Sequence, residues 1–168
     1  MLPPGHIAAG YLVTRVLLAT THPALTPTDQ NYLIWWGMFF SFAPDLDTFI
    51  VFKKMGRFIS SDKVNHRKFY SHAPVLWLIA GLSIFLIALS RHNLVLEYFG
   101  LLVWFGSWAH FALDTIQCGI MWLWPLSNKV LALWDTEIES NIKEQKFVPY
   151  LIDFIKFYVT RMTLSFSI

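Results

Sequence analysis

The sequence predicts an all-α, multi-span membrane protein with about four transmembrane helices and a C-terminal amphipathic helix. Of its 168 residues, 55% are hydrophobic and only 14% are charged, and the mean hydropathy is +0.48. Soluble domains carry about 25% charged residues, so this composition favours a membrane protein. Four apolar runs, separated by polar stretches, give the number of spans. The net charge of +2 indicates no nucleic-acid partner.

Each apolar run corresponds to one predicted helix. The first run carries Arg15, and a loop is predicted between the first two runs, from His22 to Gln30. The second run stops before Pro44, which disrupts a helix interior. The third run is uncharged throughout. The four runs extend over Ile7–Thr20, Tyr32–Phe42, Ala73–Leu89 and Leu94–Leu113.

Composition also predicts two domains. Residues 1–134 would form the membrane-embedded helical domain, whose last stretch is broken by Gly119 and Pro125. Residues 135–168 would form a charged connector followed by an apolar segment from Phe147 to Ile168. Charged residues spaced along one side of that segment predict an amphipathic helix lying on the membrane, with a fifth span as the alternative. The single cysteine, Cys118, excludes an intrachain disulfide.

The loop between the second and third runs sets the predicted orientation. It holds six basic residues between Lys53 and Lys68, whereas the loop between the third and fourth runs holds Arg91 alone. Cytoplasmic loops are enriched in lysine and arginine, so the basic loop is predicted to face the cytoplasm.

Histidines and aspartates lie at corresponding ends of the four runs. Because successive spans alternate in direction, all of them are predicted to lie on the cytoplasmic side. His22 and His92 fall in the opposite loops and are excluded. We therefore expect one set of residues to converge and bind one or two divalent ions: His6, Asp45, Asp47, His66, His72, His110 and Asp114.

Local spacing supports this expectation in part. His110 and Asp114 are four residues apart, which places them on one helix face; a hydrogen bond to a neighbour is the alternative. Asp45 and Asp47 could ligate a metal or end a helix in a turn. His66 and His72 flank a basic pair that could also contact anionic lipid heads.

These elements, taken in order, resemble the YdjM-like family of inner-membrane metal-dependent hydrolases, once catalogued as a domain family of unknown function, number 457. The resemblance covers about residues 6 to 126. It implies a bacterial inner-membrane location, a divalent metal and a presumed hydrolase activity. The matching pieces are His6-Ile-Ala-Ala-Gly10, Pro44-Asp45-Leu46-Asp47, His66-Arg67, Ser71-His72, His110-Phe-Ala-Leu-Asp114, Gly119 and Leu123-Trp124-Pro125.

The predicted function is therefore metal-dependent hydrolysis at the cytoplasmic membrane face. Zinc is the first choice of ion, with manganese, iron or nickel as alternatives. Asp45, Asp47 or Asp114 would act as general base, and Arg67 would hold an anionic group of the substrate. Membrane lipids are the expected partners, and a phospholipid or another amphiphilic ester the expected substrate. The alternatives are a non-catalytic protein with a structural metal or a polar His/Asp cluster, and a transporter.

Overall fold

The computed structural model describes residues 3–49, 69–117 and 119–133, together with Ile152 and Lys156. The chain forms two compact units, Met1–Leu46 with Arg67–Asp135, and Asp47–His66 with Thr136–Ile168. In the second unit, residues 47–49, Ile152 and Lys156 are helical. The described part of the first unit contains α1 (Pro3–Thr21), α2 (Pro27–Phe40), α3 (Pro74–Ser90), α4 (Leu94–Gln117) and two 3₁₀ helices, Ala43–Leu46 and Tyr70–His72.

The prediction of an all-helical fold is confirmed for the residues that the structure describes, which contain no β-strand. Their one extended pairing is an isolated antiparallel bridge between Ile120 and Leu131. Among the same residues, one helix is long and apolar enough to cross a membrane, Leu94–Ile116, and α3 is apolar but shorter. The number of spans, the domain boundary at residue 134 and the C-terminal amphipathic helix remain predictions.

The second helix begins earlier than the sequence pattern predicted. The loop expected from His22 to Gln30 ends at Thr26, and α2 starts at Pro27. The Thr26 hydroxyl accepts a hydrogen bond from the backbone N–H of Asp29 at 3.2 Å, while Asp29 Oδ2 accepts one from the Thr26 backbone at 3.3 Å. This reciprocal cap and the proline at the first helical position favour a helix start at Pro27. The helix therefore begins inside the segment that was predicted to be a loop.

Small residues allow α1 and α2 to pack closely. The buried face of α1 repeats every four residues and consists of His6, Gly10, Thr14 and Leu18. A Cβ on Gly10 would clash with the carbonyl oxygen of Gly37 and would lie 2.7 Å from Ser41 Cβ. The two backbones therefore approach each other at a distance that only glycine permits, and this approach fixes the end of α2 beside the start of α1.

Helix α4 runs antiparallel to α1, and hydrogen bonding and packing tie the two together. Tyr98, in the first turn of α4, donates a hydrogen bond to the Thr21 hydroxyl at the end of α1, at 2.6 Å. Buried Leu18, Leu33 and Leu102 form the apolar core between α1, α2 and α4. The far ends of α1 and α4 are consequently brought together as well, and these ends carry the polar residues described next.

Candidate metal centre

Five of the seven predicted ligands meet at one end of the first unit. His6 lies in the first turn of α1, and Asp45 lies in the 3₁₀ helix that follows α2. His72 ends the 3₁₀ helix that precedes α3, while His110 and Asp114 lie in the last two turns of α4. The alternation of helix direction thus places the start of α1, the end of α2, the start of α3 and the end of α4 side by side.

The donor atoms of these side chains lie close together. One nitrogen or oxygen from each of Asp45, His72, His110 and Asp114 lies within 4.8 Å of the others. His6 Nε2 adds a fifth donor, 3.3 Å from Asp114 Oδ1 and 3.9 Å from Asp45 Oδ2. Asp45 Oδ1 lies 3.5 Å from His72 Nε2 and 3.6 Å from His110 Nε2.

The cluster is buried except at one edge. His6, His72 and His110 are fully buried, and Asp114 is 1% exposed. The Asp45 side chain is 19% exposed, so it forms the accessible edge of the cluster.

A backbone carbonyl orients His110. Its Nδ1 lies 3.0 Å from the carbonyl oxygen of Ser41, in the turn that ends α2. Because a carbonyl can only accept a hydrogen bond, Nδ1 carries the proton, and Nε2 of the neutral ring keeps its lone pair. That lone pair faces the carboxylates, with Nε2 3.7 Å from Asp114 Oδ2. A second ring nitrogen held in this way is typical of metal-binding histidines.

Two tryptophans hold the turn that carries His72. Trp77 Nε1 donates to the carbonyl oxygen of Ser71 at 2.7 Å, and Trp108 Nε1 donates to that of Pro74 at 3.1 Å. The first bond ties the turn to α3, and the second ties the start of α3 to α4. Together they fix the position of His72 relative to His110.

His6 is the histidine of the cluster with the fewest hydrogen bonds to its ring nitrogens. Neither of its ring nitrogens has a hydrogen-bond partner among the described residues, although the ring is fully buried. It stacks on the ring of His110 with centroids 4.0 Å apart. A buried polar nitrogen without a partner lowers the stability of the folded protein by about 1–3 kcal/mol. This cost favours a bound ion as the missing partner of the His6 ring.

The charge of the cluster also favours a cation. Burial by itself raises the pKa of the Asp45 carboxyl, but its contact with His72 outweighs that effect and lowers the pKa to about 2. Asp45 is thus ionised at neutral pH. Its negative charge lies among fully buried rings, and a divalent cation would neutralise it.

The distances between the donors fit a metal better than a hydrogen-bonded network. All five His–Asp separations lie between 3.3 and 3.9 Å. A histidine–carboxylate hydrogen bond is about 2.7–2.9 Å long. Donors bonded at about 2.0–2.2 Å to one tetrahedral ion, by contrast, lie about 3.4 Å from each other. The residues present therefore fit the divalent ion that the sequence resemblance implies.

The described residues do not test whether the other predicted residues belong to this site. Asp47 belongs to the second unit, where its carboxylate lies 3.5 Å from the Thr48 hydroxyl. His66 and Arg67 lie outside the described residues. Their proposed roles as ligands or as an anion contact remain predictions. The excluded His22 and His92 are exposed in the α1–α2 and α3–α4 connections.

Sequence reasoning missed the groups that orient the ligands. The Ser41 carbonyl belongs to the backbone, so no residue type signals its role. Trp77 and Trp108 carry no ligand-orienting signal in the sequence, yet both donate hydrogen bonds inside the unit. The one available signal was position, since Trp108 lies two residues before His110.

Comparison with known proteins gives one match. The sequence profile of the YdjM inner membrane protein family matches residues 1–164. No curated protein and no solved structure matches the chain. Because the profile covers nearly all of the sequence, the chain belongs to the YdjM inner membrane protein family.

Proposed function

We propose that this protein is a membrane-bound, metal-dependent hydrolase whose active centre is the His/Asp cluster. The observation that carries the proposal is the spacing of the cluster, in which largely buried imidazole and carboxylate donors lie 3.3–3.9 Å apart. Zinc suits this mixed nitrogen and oxygen donor set best, with manganese, iron or nickel as alternatives.

Each side chain has a role in this proposal. The metal would be held by His6, His72, His110, Asp45 and Asp114. A divalent ion in such a site supplies Lewis acidity and lowers the pKa of a water to about 7. Asp45, at the exposed edge and ionised at neutral pH, would bind the metal on the side where a water can enter.

The membrane setting is the second part of the proposal. Large apolar side chains point outward on several helices, including Leu12 and Val16 on α1, Trp35 on α2 and Ile79 on α3, which are 56–71% exposed. Such surface suits a lipid environment and is rare on soluble monomers. We infer about four spans, with the site at the cytoplasmic ends of the helices.

A site at the end of membrane helices suits an amphiphilic substrate. The chain would meet a phospholipid or another amphiphilic ester at the lipid–water boundary, where the Asp45 edge opens. The proposed role of Arg67 is to hold the anionic group of that substrate, since a guanidinium binds phosphate in a bidentate manner.

The test is hydrolysis of a lipid panel by purified protein reconstituted with Zn²⁺ in mixed micelles. We expect release of product by the wild type and a large loss of activity in Asp45→Asn, because this change removes the negative charge of a carboxylate ligand. His92→Asn, an exposed histidine far along the chain from the cluster, is the matched control and should keep full activity. Equal activity in Asp45→Asn and the wild type would refute the proposed role of the cluster.

A structural metal site is the second candidate function, and the burial of the cluster favours it. Four of its five side chains are at most 1% exposed, as is common where protein ligands close the coordination sphere. In that case the wild type would bind metal and lose stability on chelation, but no substrate of the panel would be hydrolysed.

A further inference from the structure

With their two oxygens, the carboxylates of the cluster face more than one histidine each, two for Asp114 and three for Asp45. Asp114 directs Oδ1 toward His6 Nε2 at 3.3 Å and Oδ2 toward His110 Nε2 at 3.7 Å. Asp45 directs Oδ2 toward His6 at 3.9 Å, and Oδ1 toward both His72 at 3.5 Å and His110 at 3.6 Å. Each carboxylate therefore faces Nε2 of both His6 and His110.

The orientations of the imidazole rings also distinguish His6 from His72 as a partner of His110. An imidazole nitrogen binds a metal in the plane of its ring, at about 2.0–2.1 Å. His6 and His110 are stacked with centroids 4.0 Å apart and only 28° between their planes, so their planes do not meet within that reach. His72 and His110, in contrast, are inclined at 63° with centroids 5.5 Å apart, so the parallel stacking that separates His6 from His110 does not apply to this pair.

From these two observations we propose that the cluster is a two-ion centre, with His6 as the histidine of the second ion. His72 and His110 would hold the first ion with Asp45 Oδ1 and Asp114 Oδ2. His6 would hold the second with Asp114 Oδ1 and Asp45 Oδ2, so that both carboxylates bridge the pair. This inference rests on the proposed metal-binding function and specifies its ligands.

The two subsites differ in how many protein donors they offer. The first has two imidazoles and two carboxylate oxygens, whereas the described residues give the second one imidazole and two carboxylate oxygens. Catalytic ions usually have three protein ligands and an open position, and paired ions about 3.5–4 Å apart occur in phosphatases and nucleases. The His6 subsite is therefore the one that would receive the substrate, and a phosphate ester is the class it fits.

The unpartnered state of His6 supports this assignment independently. The ring is fully buried, and both nitrogens lack a hydrogen bond within the described part of the chain. A single-ion site formed by the other four side chains would leave this imidazole unsatisfied in the protein interior. A second ion would satisfy Nε2 and balance the pair of carboxylates shared with the first.

The experiment is a titration of the metal-free full-length protein in detergent with Mn²⁺, followed by equilibrium dialysis and electron paramagnetic resonance. We expect two Mn²⁺ per chain in the wild type, with the exchange-coupled spectrum of carboxylate-bridged ions. His6→Phe, which keeps a ring stacked on His110 but has no nitrogen, should bind one Mn²⁺ and give the spectrum of an isolated ion. His22→Asn, at an exposed loop histidine, should behave as the wild type does.

Other outcomes separate this inference from the proposed function. A wild type that binds one ion would overturn the two-ion centre and leave metal-dependent hydrolysis standing. Two ions without coupling, or two coupled ions in His6→Phe, would overturn the assignment of His6. A wild type that binds no Mn²⁺, Zn²⁺ or Fe²⁺ would overturn both. His6→Ala provides a second variant if His6→Phe unfolds, which thermal unfolding of each variant would reveal.

Discussion

His6 Nε2 lies 3.3 Å from Asp114 Oδ1, although the two residues belong to the first and last helices of the described bundle. Neither side chain is more than 2% exposed. The contact requires α1 and α4 to run antiparallel, with the start of α1 level with the end of α4. It also means that the metal site and the packing of the bundle are energetically linked, so that metal binding should stabilise the fold.

Chelation should accordingly lower the thermal stability of the protein. A ligand at 100 times its dissociation constant stabilises the folded state by about 2.7 kcal/mol. We expect Zn²⁺ to raise the unfolding temperature of the detergent-solubilised wild type and a chelator to reverse the rise. Asp114→Asn keeps the shape of the side chain but removes its charge, and should show little response to Zn²⁺. Identical melting curves with Zn²⁺ and with chelator would argue against a folded-state metal site.

The tryptophans that hold the His72 turn should affect metal affinity without touching the metal. Trp77→Phe removes the hydrogen bond to the Ser71 carbonyl, and groups that orient metal ligands typically contribute about 10–100-fold to affinity. We expect a loss of Zn²⁺ affinity in that range by competition with a chromogenic chelator. Trp35→Phe is the control, because Trp35 is 71% exposed. An unchanged affinity in Trp77→Phe would show that the turn is held by other contacts.

Glycine packing should be essential where α1 meets α2. Gly10→Ala would normally favour a helix, yet here the added Cβ meets the Gly37 carbonyl and Ser41 Cβ. We expect a net destabilisation of about 1–3 kcal/mol, measured by denaturant unfolding. Gly106→Ala, whose Cβ would lie 3.1 Å from Phe40 Cβ, should cost less. The reverse order would contradict the packing described for α1 and α2.

The orientation in the membrane can be tested with single cysteines in a Cys118→Ser background. The account predicts that Asn93→Cys, in the α3–α4 connection, reacts with an impermeant maleimide added outside spheroplasts. Phe69→Cys, beside the His72 turn, should react only after the membrane is permeabilised. The opposite pattern would place the cluster on the outer face, and labelling of both positions from outside would exclude this topology.

The sequence predicted the convergence of the five ligands because alternation of helix direction is a topological rule that needs no atomic detail. The i,i+4 spacing of His110 and Asp114 likewise fixed their shared helix face. His6 was the weakest candidate on its own, but its place in the buried four-residue repeat of α1 makes it part of the packed interior. Position along the runs was therefore more informative than residue type.

Other features could not be predicted from the sequence, for identifiable physical reasons. The start of α2 depends on a capping box between Thr26 and Asp29. The loop prediction followed the two nearby prolines and did not take this local signal into account. The tautomer of His110 depends on a backbone carbonyl, which leaves no mark in the sequence. The division of ligands between two ions depends on ring planes and on individual carboxylate oxygens, which only coordinates provide.

The most direct test of the central claim is calorimetric titration of the metal-free protein with Zn²⁺. The account predicts saturable binding in the wild type and in the exposed-histidine control His92→Asn, and a loss of at least about 100-fold in affinity in His110→Ala, which removes a ligand nitrogen from the centre of the cluster. No saturable binding in the wild type, or equal affinity in His110→Ala, would show that these side chains form a buried polar network and not a metal site.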